Sequence, residues 1–128
     1  MRFVLILLAV LASALPVLAQ GTPAAQILSE NRALIERSSR QTIGPVIEAL
    51  AASGDASSAA ILNAWADRRL GFRERDGTFF LIEPADGGWA LRDLAGAPAG
   101  PPGRGEIAQL RPNSGVRGLI ATALVRFQ

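Results

Sequence analysis

Three kinds of side chain in this sequence could do chemistry: a few carboxylates, a set of arginines and two tryptophans. Glu83 and Asp86 lie three residues apart around a turn, and Glu106 is a third carboxylate to set beside them. A pair of carboxylates can work as general acid and base when their surroundings drive their pKa values apart. Acidic residues are also ordinary turn formers, which is the plainer reading of Glu83 and Asp86. Arg68, Arg69, Arg73 and Arg75 crowd one stretch, with Asp67, Glu74 and Asp76 among them as counter-charges. That stretch reads either as a contact for lipid head groups or a protein partner, or as a solvated face. Arg111, Asn113 and Arg117 form a second polar set, read either as a partner contact or as a capped helix start with exposed arginines. Trp65 and Trp89 could stack on a small ligand, or serve as core aromatics.

Composition removes most other chemistries. The chain has no Cys, His or Tyr, and all 13 of its basic residues are Arg. No disulfide can form, and the usual ligands of zinc, copper and haem are missing, so no metal and no cofactor is expected. Neither a Ser-His-Asp triad nor a Ser-Lys dyad can be assembled. The isoelectric point of 10.9 does not signal nucleic acid. With 13 Arg against 11 Asp plus Glu the net charge is only +2. It persists to high pH because arginine does not titrate there. Attraction to phosphate scales with clustered charge, and no nucleic-acid partner is expected.

The start of the chain has the layout of a secretory signal. Met1-Arg2 is basic, Phe3 to Leu15 is almost wholly apolar, Pro16 breaks the run, and Val17-Leu18-Ala19 offers a cleavage site. The apolar run is shorter than the roughly 20 residues that span a bilayer. Residues 1–19 are therefore expected to be removed as a signal, the alternative being an uncleaved membrane anchor, and the product is expected to be exported, either periplasmic or at the periplasmic face of the inner membrane. Removing 19 of 128 residues leaves 109, enough for one small domain.

The elements that must position these side chains follow from pattern. Thr22-Pro23 is a helix start, and Ile27, Leu28, Leu34 and Ile35 predict a helix over 23–38, with Arg32 on the other face. A second helix starts near Ile43, tolerates Pro45 in its first turn, and carries the stripe Ile43, Val46, Ile47, Leu50. Ser53-Gly54 ends it, with Gly54 left-handed. Asp55 or Ser57 caps a third helix that turns Ala59, Leu62, Trp65 and Ala66 inward and runs to about Arg69. The two form an Ala-rich helical hairpin, a HEAT-like pair. Residues 71–82 read as a β-hairpin with a two-residue Asp76-Gly77 turn, so that Phe72 faces Leu81 and Glu74 faces Phe79. Asp86-Gly87-Gly88 turns the chain into a third strand, Trp89 to Arg92. Residues 95–105 read as a mobile Gly/Pro-rich loop. A last helix starts at Asn113 or Ser114, with Val116, Leu119, Ile120, Ala123 and Phe127 inward.

The ordered segments carry a resemblance. Ile47-Glu48-Ala49-Leu50-Ala51-Ala52-Ser53-Gly54-Asp55 comes first. A helix ending in Trp65 to Leu70, a charged strand with Asp76-Gly77, Leu91-Arg92-Asp93-Leu94-Ala95-Gly96 and Arg111-Pro112-Asn113-Ser114-Gly115-Val116-Arg117 follow. This set resembles the extracytoplasmic amino-terminal region of bacterial urea ABC transporter permeases, of the branched-chain amino-acid permease type, over roughly residues 39–127. Ser114 and Gly115 stand where that family has Asn and Arg, and Gly118 where another Arg is usual. The membrane spans that follow in such permeases are not in this sequence.

The resemblance implies a non-catalytic periplasmic domain of a transporter of urea, short-chain amides or branched-chain amino acids. Its implied partners are the permease membrane core, a second permease subunit and the substrate-binding protein. The expected fold is α+β, with residues 20–94 forming the helical hairpin and β-meander. Residues 95–105 are the loop and 106–128 the C-terminal helix of the same domain. The expected partner contacts are Arg68, Arg69, Arg73, Arg111, Asn113 and Arg117. The alternative is a stand-alone secreted interaction module, and a third reading is a small carboxylate-dependent hydrolase.

Overall fold

A computed structural model describes residues 22–100 and 106–128, so the expected signal segment 1–19 lies outside the described residues. The described chain is mixed helix and strand, an α+β arrangement of five α-helices and a four-stranded antiparallel sheet. The chain opens with α1 (Pro23–Glu30), capped by the Thr22 hydroxyl, which accepts from the Ala25 N–H. The single helix expected over 23–38 is broken. The Asn31 side chain donates to the Ile27 carbonyl at 2.8 Å, its backbone leaves helical geometry, and a short α2 (Arg32–Glu36) follows. A side-chain amide competing for a helix carbonyl is the physical reason. Only Ala24, Leu28 and Ile35 are buried along this segment, while Leu34 is exposed.

Next come α3 (Gly44–Ala52) and α4 (Ser58–Ala66). Pro45 lies in the first turn of α3, and Ile43, Val46, Ile47 and Leu50 are buried as their spacing requires. Gly54 is left-handed, with φ 75°. The link is locked by hydroxyls: Ser53 Oγ donates to the Leu50 carbonyl and lies 2.9 Å from the buried Ser58 Oγ. The inward face of α4 is rotated from the expected one. Ile61, Leu62, Ala64 and Trp65 are buried, while Ala59 and Ala66 are half-buried.

Instead of running to Arg69, α4 ends at Ala66 in a Schellman cap, with Arg69 N–H on the Ala64 carbonyl and Arg68 N–H on the Trp65 carbonyl. The left-handed residue of that cap is Arg68, φ 61°.

The sheet contains β1 (Leu70–Arg73), β2 (Phe79–Ala85), β3 (Gly88–Arg92) and β4 (Ile107–Gln109), in the order β3-β2-β1-β4. The β1–β2 register differs from expectation. Phe72 pairs with Phe79 and Leu70 with Leu81, a shift of two residues that leaves every side chain on its expected face. Residues Glu74-Arg75-Asp76-Gly77 form a four-residue loop, closed by Gly77 N–H on the Arg73 carbonyl. The type I′ turn fails because only Gly77 takes positive φ. Asp76 spends its carboxylate on the Thr78 N–H and the Arg73 guanidinium. The two-residue hairpin falls instead at Asp86-Gly87, between the Ala85–Gly88 pair.

Two further corrections concern the C-terminal part. Residues 95–99 are not a free loop. Arg92 and Pro98 bridge, Ala99 N–H donates to the Leu91 carbonyl, and Asp93 accepts from Ala95 and Ala97. Nor is 106–128 all helix. Ile107–Gln109 forms β4, which pairs antiparallel with the far edge of β1, and α5 (Ser114–Leu124) follows before a 3₁₀ turn over Val125–Phe127.

The main core lies between α1–α5 and one sheet face. It collects Leu28, Ile35, Leu50, Leu62 and Trp65 with Leu70, Phe72, Phe79, Val116 and Ile120. The opposite sheet face has its own small cluster: Phe80, Ile82 and Leu91, with Trp89 and Ile107 partly buried against it. Gly71 makes that cluster possible. A Cβ there would stand 2.7 Å from the Ala108 carbonyl oxygen and 3.1 Å from Ile82 Cδ1.

Candidate functional site

The arginines expected to act together are distributed over two ends of β1. Arg68 and Arg69 precede the strand and Arg73 closes it. At about 3.3 Å per residue that places Arg69 and Arg73 roughly 13 Å apart. Arg69 pairs with Asp67 at 3.1 Å, Arg73 with Asp76 at 3.0 Å, and Arg75 with Glu106 at 3.5 Å. Hydrogen bonds from Arg73, then from the Thr78 backbone, hold the Asp76 carboxyl well below the usual carboxylate range. The same contact raises the Arg73 pKa.

Arg73 also lies over the Phe80 ring at 5.1 Å. Arg32, expected on a solvent face, instead lies over the Phe72 ring at 4.9 Å, with its Nη1 within 2.9 Å of where a Cβ on Gly77 would stand. Its Nε is buried and has no hydrogen-bond partner among the described residues. Exposed Arg–carboxylate pairs of this kind contribute little to stability. They leave this loop nearly charge-neutral.

The second set converges on the start of α5. Asn113 is the N-cap, accepting from the Val116 N–H at 2.9 Å, which is the capped helix start read from sequence. Arg111 donates from Nε to the Gln109 side-chain carbonyl, whose amide donates on to the Arg68 carbonyl. Arg68 and Arg111 are therefore neighbours through Gln109, although 43 residues separate them in sequence. Arg40 joins them unexpectedly: a Cβ at Gly115 would lie 3.2 Å from Arg40 Cβ. Arg111 and Arg117 are exposed. The signal for this convergence was compositional, since no Asp or Glu occurs after Glu106.

The expected carboxylate group does not assemble. Glu83 is an exposed strand residue paired with Ala90, and Asp86 sits in the β2–β3 turn. Glu106 lies at the other end of the sheet, where its carbonyl accepts from the Glu74 N–H. Along β2, Glu83 stands four residues, roughly 13 Å, from the Phe79 end beside which Glu106 lies, and Asp86 is three residues further away. The acid with the most built surroundings is Asp55. It accepts from Ser57 N–H and Oγ and, across 31 residues, from the Ala24 N–H at 3.0 Å. Burial opposes its ionisation, but hydrogen bonds from Ser57, Ala24 and Thr22 outweigh that and lower its pKa to about 2. This is a structural joint between α1 and the α3–α4 link.

The tryptophans are not partners either. Trp65 is wholly buried in the main core, its indole N–H without a hydrogen-bond partner among the described residues. Trp89 is on the other sheet face. Open space on the described surface is shallow. A cleft of about 510 Å³ follows the β2–β3 hairpin past Trp89, and an apolar groove of about 370 Å³ lies between α3 and α5. No cluster of three or more metal-ligating side chains exists among the described residues. No helix of the described residues is long and apolar enough to cross a membrane.

Fold and surface together define a small α+β domain whose polar features are ion pairs, caps and an arginine-lined helix start. No family model, no curated protein and no solved structure matches this chain.

Proposed function

We propose that this chain is the periplasmic amino-terminal domain, or a truncated form, of a urea/short-chain amide or branched-chain amino-acid type ABC transporter permease. In this reading it is a non-catalytic part that docks or assembles the transporter. The observation that carries the reading is where the resembling segments fall. Ile47 to Asp55 forms the end of α3 and the Asp55 joint, Leu91 to Gly96 the turn after β3, and Arg111 to Arg117 the capped start of α5. The family-like stretches thus occupy joints and caps, which a shared domain would keep for structural reasons. The α3–α4 pair is the proposed HEAT-like hairpin, and the membrane core, second permease subunit and substrate-binding protein are the proposed partners. Arg68, Arg111, Asn113 and Arg117 gather near one end and are the proposed contact, whereas Arg69 and Arg73 are taken up by Asp67 and Asp76.

The test is deletion of the segment corresponding to residues 21–110 from a full-length permease of that family. Loss of assembly or uptake is the expected outcome, and unchanged assembly and uptake would sink the proposal.

The alternative, a stand-alone secreted interaction module, is favoured by the groove between α3 and α5, which has the form that receives a partner helix or peptide. A monodisperse 109-residue product with no membrane-associated form would select it.

A further inference from the structure

We infer that the outward face of α5 is a docking surface for an anionic lipid bilayer. This inference does not rest on the transporter reading, and it gives Arg111 and Arg117 to lipid head groups in place of a permease subunit. Charge is the first argument. From Ile107 to Gln128 there is no Asp or Glu and there are three arginines, and the stretch 37–47 adds two more with no acid. The fold places Arg40 against Gly115, sets Arg111 and Arg117 on either side of the Asn113 cap, and leaves both exposed. Arg111, Arg117 and Arg40 have no ion-pair partner among the described residues, unlike Arg32, Arg69, Arg73, Arg75 and Arg126.

The second argument is apolar and lies at the other end of the same helix. Val125 is 60 % exposed and Phe127 43 % exposed, two of the three large hydrophobic residues left exposed among the described residues. Val125 also lines the α3–α5 groove with Ile47, Leu119 and Ala123, beside the Glu48–Arg126 ion pair, which is neutral overall. Between the two ends, the exposed positions Gly118 and Ala121 are small, and Thr122 lines the α3–α5 groove. At 1.5 Å per residue Arg117 and Val125 stand about 12 Å apart along the axis, so a cation and an apolar side chain lie within one helix length, with Arg111 and Phe127 just beyond its two ends.

Basic residues for head groups combined with exposed aliphatic and aromatic residues for the acyl boundary are what an interfacial surface requires. An acidic protein would use the arginines but leave Val125 and Phe127 in water. Each arginine near an anionic surface is worth about fivefold in partitioning.

The test is co-sedimentation of the full chain with vesicles of phosphatidylcholine alone and of phosphatidylcholine containing phosphatidylglycerol. At low salt, binding at least tenfold tighter to the anionic vesicles is expected, falling towards the neutral value in 0.5 M salt. The double substitution Arg111→Glu/Arg117→Glu should cost roughly thirtyfold or more on anionic vesicles with an unchanged circular dichroism spectrum. Should that variant misfold, Arg111→Gln/Arg117→Gln gives the same comparison. Arg75→Glu/Arg92→Glu, with the same change in net charge elsewhere, should lose much less. Val125→Ser/Phe127→Ser should weaken binding to both kinds of vesicle.

Equal binding of the parent to both vesicles would mean that apolar contact without the arginines drives attachment, and would overturn the inference. So would equal loss in the Arg75/Arg92 variant. Release by millimolar inorganic phosphate would assign a free-anion site instead.

Discussion

Two residues have environments that make measurable demands. Arg68 holds a left-handed conformation that costs a residue with a Cβ roughly 1 kcal/mol or more. Its side chain makes no hydrogen bond or ion pair among the described residues; its backbone N–H donates to the Trp65 carbonyl and its carbonyl accepts from Gln109. Arg68→Gly should therefore stabilise the domain, by up to about 1 kcal/mol once the added freedom of the unfolded chain is counted, and raise Tm by several degrees. Calorimetry on the pair decides it. Asp55 makes the opposite case. Its folded pKa of about 2 lies below the unfolded value near 3.9. Its contribution is therefore complete above about pH 4 and is lost as pH falls through 2. Asp55→Ala should cost about 1–2 kcal/mol at pH 6 by orphaning the Ala24 and Ser57 donors. Urea midpoints at pH 6 and pH 2.5 should fall further for the parent than for the variant.

Among the elements, β4 is the most exacting. Three residues pair with β1 beside Gly71, where an added Cβ meets a backbone carbonyl at 2.7 Å. Gly71→Val should push β4 off the sheet edge at a cost of roughly 1–3 kcal/mol or more. Hydrogen exchange at the Ile107–Gln109 amides would rise while α4 stayed protected. The α3 stripe, the left-handed Gly54 and the cap at Asn113 were legible because each depends on neighbours close in sequence.

The β1–β2 register was not legible, because Asp76 chose a side-chain salt bridge with Arg73 over the turn its sequence allows. The break at Asn31 turned on one amide reaching one carbonyl. The strand β4 left no pattern at all, since three residues are too few to show alternation. The polar surface was half legible. The Arg73–Asp76 pair was visible as adjacent charges, whereas Arg40 reaching the start of α5, and Gln109 bridging Arg68 to Arg111, needed the fold.

On the scale of the whole molecule, Trp65 is the largest side chain with no exposure. Trp65→Ala should cost about 3–5 kcal/mol and leave little folded protein at 37 °C. Trp65→Phe removes an indole N–H that has no partner among the described residues and should be much milder, a contrast readable by circular dichroism melts. The placement of α5 has a further consequence. That helix packs on both α3 and α4, and Val116, Ile120 and Ala123 complete the core, while β4 closes the far edge of β1. The contacts that finish the structure therefore join residues 44–73 to residues 107–123 and close long loops. A nascent chain cannot make them until residues 107–123 have cleared the ribosome. The packing of α3, α4 and β1 against α5 and β4 therefore waits on that segment, and the last collapse follows its release instead of keeping step with synthesis of the earlier elements.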